Sequence, residues 1–191
     1  MRVQTFAVAL LVASAIPLMG QSSVSGAPET FVVNAQAKGG GGDTAAAAHF
    51  EIRVQSYTSD REQKVVTDAL KSGGYAAFLT ALRKAPDVGY VEIDGKKTTI
   101  RFARQTPVDK NRTVVLVTDK PLFFVGGASV DAKPRAGYEV ALFELKMDAS
   151  GIGAGTMAAA ARVKPGGETG VVVDDYAEAP IRLTSIMRKV G

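Results

Sequence analysis

The sequence predicts a single α+β domain in which a mostly antiparallel sheet of about six to eight strands carries a pair of short helices on one face. Two observations support this fold class. Several short segments alternate apolar and polar residues, as half-buried strands do, and residues 60–86 repeat apolar residues at helical spacing. The chain of 191 residues is also long enough to bury one sizeable core.

Residues 1–26 are predicted to be a cleavable secretory signal. Arg2 precedes an apolar stretch from Phe6 to Ile16, and small or polar residues follow from Gly20 to Ala27. The stretch is shorter than the roughly 20 residues of a permanent membrane span. We therefore expect an exported domain, in a bacterial periplasm or outside the cell, with no transmembrane segment after cleavage. A buried amino-terminal helix is the alternative interpretation.

Residues 27–48 have the composition of a flexible Gly/Ala-rich linker. They include the run Gly39–Gly42, and successive glycines resist ordering because each loses much backbone freedom. The apolar trio Phe31–Val33 is the one part of this segment that suits an added edge strand.

Residues 49–191 are predicted to form the domain, which begins with a strand over 49–57 and two helices. Ser59 and Glu62 have the spacing of a capping box, so a helix is expected from 60 to 71. Glycines end it, and apolar residues from Tyr75 onward predict a second helix that Pro86 terminates. The two helices form a bent or hairpin pair over the sheet.

The remaining elements are predicted to be strands. Asp94-Gly95 is typical of a tight hairpin turn, and the residues from Tyr138 to Met147 are apolar on both faces, as in a central strand. Loops are expected at 107–112, 126–137 and 148–155. The other predicted strands are 113–118, 122–125, 156–163 and 171–173. The tail, 180–190, fits either a helix or a strand, and a strand is favoured.

This order of strand, helix pair and antiparallel strands resembles the opening of helix-grip ligand-binding domains. That resemblance implies a cavity for an apolar ligand between the sheet and the helices. No long closing helix of the kind found in those domains is predicted here.

Composition excludes several classes of function. The chain has no cysteine, which rules out disulfides, thiol catalysis and Cys-ligated zinc. His49 is the single histidine, too few for a multi-histidine metal site or for a triad without a matching nucleophile motif. The formal charge of +4 is scattered among acids and forms no basic stripe, so no nucleic-acid partner is predicted.

Two motifs invite a catalytic or cofactor interpretation. Gly153–Ala158 matches the glycine pattern of dinucleotide-binding folds, with Asp174 at the distance of a ribose-binding acid, but its context favours a hairpin turn. Asp174 and Asp175 follow a valine run, yet adjacent acids in a strand point to opposite faces. We therefore predict no catalytic residue, no cofactor and no metal.

The leading functional hypothesis is an exported, non-catalytic domain that binds a protein or a cell-envelope component through an exposed strand edge or loop. The second is a carrier of a small apolar ligand in a cavity between sheet and helices, lined by Phe78, Phe102 and Phe143. The third is a weak carboxylate-dependent hydrolase that uses Asp174 or Asp175.

Overall fold

The computed structural model describes residues 26–37, 46–122, 135–177 and 179–189. In chain order its elements are β1 (Glu29–Ala37), β2 (Ala46–Val54), α1 (Asp60–Lys84), β3 (Gly89–Ile93), β4 (Lys96–Val108), β5 (Asn111–Thr118), β6 (Val140–Met147), β7 (Ile152–Pro165), β8 (Val171–Tyr176) and β9 (Ile181–Lys189). The predicted signal lies outside these residues apart from Gly26, so its cleavage stays a prediction.

Eight of the strands close into an antiparallel barrel. Its order is β6-β5-β4-β3-β2-β1-β9-β7, and pairing of β7 with β6 completes the ring. The predicted fold class was therefore wrong, because the protein is a closed barrel with one helix and not an open sheet under a pair of helices. Closure depends on β7, whose register shifts let it bend and pair with β6 on one side and with β9 and β8 on the other.

The segment predicted to be a linker contains a barrel strand. β1 occupies residues 29–37 and pairs with β2 along its whole length and with β9 on its other side. Its alternate residues Phe31, Val33 and Ala35 are buried in the barrel. The prediction failed because the glycine run outweighed this short alternating pattern. That run, residues 39–42, lies outside the described residues.

Several other boundaries differ from those predicted. The loop expected at 107–112 is a tight turn, since β4 continues to Val108 and β5 begins at Asn111. Likewise, β7 begins at Ile152, so the turn expected over 148–155 is shorter. The Asp94-Gly95 hairpin and the strand over the tail are confirmed. Most of the predicted strand at 122–125 and most of the loop at 126–137 lie outside the described residues.

The two predicted helices are one element that turns at Gly74. The capping box is confirmed, because the Ser59 hydroxyl accepts from the Glu62 amide and the Glu62 carboxylate accepts from the Ser59 amide. Gly74 has φ 67° and ψ −163°, a combination open almost only to glycine, so the helix bends there. In the described part of the chain no helix combines the length and apolar character needed to cross a bilayer.

The strands bury side chains on both faces of the barrel wall. Inward residues fill the interior, and the largest of them include Phe31, Ile52, Ile100 and Phe143. Outward residues of β4 to β7 form a second cluster with α1, in which Phe78, Leu79 and Leu82 of the helix contact the outer wall. α1 therefore covers part of the outside of the barrel.

Candidate functional site

A groove of about 420 Å³ lies on the outer wall of the barrel beside α1. Its floor is formed by outward residues of β4 to β7, and its side by β8 and the turn that precedes β8. The residues that line it are Thr106, Val108, Thr113, Val115, Leu142, Glu144, Thr156, Ala158, Gly167, Glu168, Thr169, Val171, Val172, Val173 and Tyr176. The volume falls within the roughly 300–1,000 Å³ typical of ligand pockets.

β8 borders the groove along its edge. Val171, Val172 and Val173 all line the groove although consecutive strand residues point to opposite faces, so the groove must run beside the backbone. The residues of β7 that pair with β8, 161–165, do not line it. We infer that the groove faces the edge of β8 that β7 leaves unpaired.

That unpaired edge distinguishes β8 from the other strands. Each of the eight barrel strands pairs with a neighbour on both sides, whereas β8 pairs with β7 alone within the described ranges. An unpaired edge presents a row of backbone N–H and C=O groups that can pair with another extended chain. The groove thus combines a shaped surface with free main-chain hydrogen-bonding groups.

The tip of the β7–β8 hairpin is fixed against α1. The Gln63 Nε2 donates to the Thr169 carbonyl oxygen at 2.9 Å. Gly170, at φ 83°, lies so close to α1 that an added Cβ would be 2.6 Å from Thr67 Cγ2. Only glycine suits this position, both for its backbone angle and for the close approach. The hairpin is therefore held in place before any ligand arrives.

The base of the hairpin is fixed by a cluster of charges around Tyr138. The Tyr138 hydroxyl donates a hydrogen bond to the Asp175 carboxylate, which lowers the pKa of Asp175 and raises the pKa of Tyr138. Asp174 pairs with Arg162 at 3.0 Å and with Lys164 at 3.3 Å. Both acids named in the hydrolase hypothesis, Asp174 and Asp175, thus anchor β8.

The floor of the groove mixes hydroxyls, carboxylates and apolar groups. Thr106 and Thr113 are cross-strand partners, and Thr156 lies opposite Glu144 on the next pair of strands. Glu144 also pairs with Lys146 at 3.4 Å. The hydroxyls can form hydrogen bonds with the backbone of a bound segment, and the apolar residues beside them can contact its side chains. Within the described ranges no three His, Asp or Glu side chains are grouped as a metal site would require.

The three phenylalanines predicted to line a ligand cavity do not surround one space. Phe78 and Phe102 are fully buried between α1 and the barrel wall, while Phe143 is fully buried inside the barrel. The wall separates Phe143 from the other two, and none of the three lines the groove. Their role as a ligand lining stays a prediction.

The remaining motifs take structural positions. Gly153–Ala158 lies within strand β7 and does not form a loop before a helix, so it cannot hold a pyrophosphate as the dinucleotide motif does. Its glycines allow close strand contact instead, because a Cβ on Gly155 would be 2.1 Å from the Glu144 carbonyl oxygen. His49 Nδ1 lies 2.9 Å from the Asn34 side-chain oxygen.

A buried charged cluster at one end of the barrel interior was not predicted from the sequence. Arg112 forms two hydrogen bonds with the Glu29 carboxylate, at 2.8 and 2.9 Å, and the two side chains are 9% and 3% exposed. Tyr57 donates to Glu29 at 2.5 Å, and its burial raises the pKa of the hydroxyl. Gln105 and Arg188 complete the cluster, at 2.7 Å from Arg112 and 3.4 Å from Glu29.

A weak signal for this cluster exists in the sequence. Glu29 has the same phase as the inward residues Phe31 and Val33, and Arg112 has the same phase as Val114 and Leu116. Each charge therefore continues a buried face. Their separation by 83 residues gives no local hint that they meet.

Comparison with protein-family models gives no match, and no curated protein and no solved structure is significantly similar to this chain. Function therefore has to follow from the chemistry and shape of the groove.

Proposed function

We propose that this chain is an exported, non-catalytic binding domain that holds an extended polypeptide segment of a partner protein in the groove beside β8. The observation that carries the proposal is the run Val171–Val173, whose consecutive residues border the groove with an unpaired strand edge. Export follows from the predicted signal in residues 1–26 and belongs to the same proposal.

A polypeptide suits this groove because it can use the strand edge directly. An added strand forms main-chain hydrogen bonds with the edge, while its alternate side chains enter the surface beneath. The threonines and the apolar residues of the floor provide that surface. A ligand without a regular row of donors and acceptors would leave the edge unpaired.

Anchoring of the hairpin favours binding further. A segment that pairs with a strand already held at both its tip and its base orders fewer groups, so less conformational entropy is lost. Gln63 holds the tip and Tyr138 holds the base. β8 therefore presents its edge in a conformation ready to accept a partner strand.

The test begins with a library of random seven-residue peptides displayed on phage and selected on the full mature chain. Selected peptides are synthesised, and their binding is measured by titration calorimetry and by amide hydrogen exchange. We expect slower exchange for amides of β8, and binding at least tenfold weaker in Thr156→Trp, whose indole would fill the groove. Thr184→Trp is the matched control, since Thr184 is an exposed strand threonine that does not line the groove.

Two outcomes would contradict the proposal. Selected peptides that bind Thr156→Trp as tightly as the parent chain would place the site elsewhere. The groove would not recognise extended polypeptides if no selected peptide bound the parent chain more tightly than it bound Thr156→Trp.

A further inference from the structure

A second groove lies between the two arms of α1. Ser59 at one end of the helix and Pro86 just beyond the other both line it, so the arms on either side of Gly74 lie side by side. Its volume is about 770 Å³. The lining residues are Ser59, Arg61, Glu62, Val65, Val66, Ala77, Thr80, Ala81, Lys84, Ala85 and Pro86.

The deeper part of this groove is apolar. Val65 and Val66 come from the first arm, and Ala77, Ala81 and Ala85 from the second. Val65 is 58% exposed, an unusual exposure for a large aliphatic side chain on a helix whose other valine is buried. At about 1.5 Å per residue, the lined parts of the arms run for about 10–14 Å. A medium-length alkyl chain fits a trough of that length.

The open end of the groove is basic. Arg61 and Lys84 both line it there, and neither has an ion-pair partner in the part of the chain that the structure describes. The contrast with adjacent charges is clear, since Asp60 pairs with Arg104 and Lys64 pairs with Asp68. These two cations are therefore available to an anion at the mouth of the groove.

The one carboxylate in the lining, Glu62, offsets one of the two positive charges, so Arg61, Lys84 and Glu62 together leave a net charge of +1. Glu62 accepts from both the amide and the hydroxyl of Ser59, and these hydrogen bonds lower its pKa. These hydrogen bonds hold the carboxylate beside Ser59, and its charge also interacts with that of Arg61. An anionic group at the mouth would face Arg61 and Lys84.

From the apolar trough and its basic mouth we propose a second binding site, one that takes a free single-chain anionic amphiphile of the fatty-acid type. The alkyl chain lies between the arms along Val65, Ala77 and Ala81, and the carboxylate lies between Arg61 and Lys84. This site is separate from the groove beside β8, and its position on α1 differs from the phenylalanine-lined cavity that the sequence suggested.

The experiment titrates the full mature chain with decanoate below its micelle concentration and follows alanine and valine methyl groups by NMR. We expect shifts at Val65, Ala77 and Ala81 with little change inside the barrel. Decanol and decyltrimethylammonium share the alkyl chain but not the negative charge, and both should bind more weakly than decanoate.

Charge variants test whether decanoate affinity depends on Arg61 and Lys84 or on the overall positive charge of the protein. The double variant Arg61→Gln/Lys84→Gln should weaken decanoate binding roughly three- to tenfold, the combined effect of two exposed charge contacts. Lys71→Gln/Arg83→Gln is the matched control, because both residues are exposed on α1 and neither lines the groove. Circular dichroism of each variant checks that the helix is retained.

Three results would overturn the proposal. One is equal binding of decanoate and decyltrimethylammonium, which would remove the anion preference. Another is an unchanged affinity in Arg61→Gln/Lys84→Gln. The last is a dimer by analytical ultracentrifugation whose formation shifts the same methyl groups, because the occupant would then be a second copy of the chain.

Discussion

Replacing either member of the buried Glu29–Arg112 ion pair should destabilise the barrel far more than replacing both together. Their side chains are 3% and 9% exposed and share two hydrogen bonds of 2.8 and 2.9 Å. Removing one partner of such a pair leaves a buried charge uncompensated and costs about 3–5 kcal/mol. Replacing both with apolar residues of similar length removes both desolvation costs, and is often neutral or stabilising.

The two single variants should not cost the same. In Arg112→Met the Glu29 carboxylate keeps Arg188, at 3.4 Å, and the Tyr57 hydroxyl. In Glu29→Met the guanidinium of Arg112 loses its carboxylate while Arg188 stays in the same cluster, so two like charges remain together. We therefore expect Arg112→Met near the lower end of the range and Glu29→Met near the upper end.

The assay is urea unfolding followed by far-ultraviolet circular dichroism, with thermal melts in parallel. For a chain of this size a loss of about 3–5 kcal/mol corresponds to a fall in Tm of about 6–20 °C. Single variants within about 1 kcal/mol of the parent chain would refute the argument from buried charge. So would a double variant whose loss equals the sum of the two single losses, since that would mean the side chains do not interact.

Four further predictions concern the helix and the tight strand contacts. Ser59→Ala should cost about 1 kcal/mol through loss of the helix cap, measured by urea unfolding. Because the folded-state pKa of Glu62 lies below its ordinary value, its contribution is present above the unfolded pKa and is lost as pH falls through the folded value; the stability gap between the parent chain and Glu62→Gln should therefore narrow on acidification, and a constant gap would contradict this. Gly155→Ala should cost at least about 2 kcal/mol, since its Cβ would meet the Glu144 carbonyl oxygen at 2.1 Å. Gly74→Ala has open space around it but a backbone angle that alanine avoids, so we expect a loss of about 1–3 kcal/mol and a straighter helix by crystallography.

Local patterns predicted the local structure well. The Ser59 and Glu62 spacing located the start of α1, and Asp94-Gly95 located a hairpin turn, because the physics of a cap or a tight turn involves only neighbouring residues. Alternation predicted most of β2 for the same reason. These features need no knowledge of what lies across the sheet.

Closure of the barrel could not be predicted in this way. β1 pairs with β9, so that Thr30 lies opposite Lys189, and no periodicity within either segment indicates its partner. An open sheet and a closed ring have the same alternation of inward and outward residues. The glycine run after β1 led to the prediction of a linker over residues 27–48. For that reason β1, which pairs with both β2 and β9, was not predicted to be a barrel strand.

The sequence predicted the type of binding site, an exposed strand edge, but not its position in the fold. The run Val171–Val173 was predicted to be a strand, and an exposed strand edge was named as the means of binding. That β8 keeps a free edge, and that the edge lies beside the threonines of β4, β5 and β7, depends on pairings between distant segments. The groove between the arms of α1 likewise required the bend at Gly74 to bring Arg61 and Lys84 together.

The β1–β9 pairing also shapes how the chain reaches this structure. The strand that seals the ring is the last one in the described chain, and its partner is the first, so closure brings together segments about 150 residues apart. Until β9 docks, β1 and the first half of β7 each keep one open edge, and open edges invite pairing with other copies. During folding, then, the vulnerable surfaces are the two sides of a seam that the finished barrel no longer exposes.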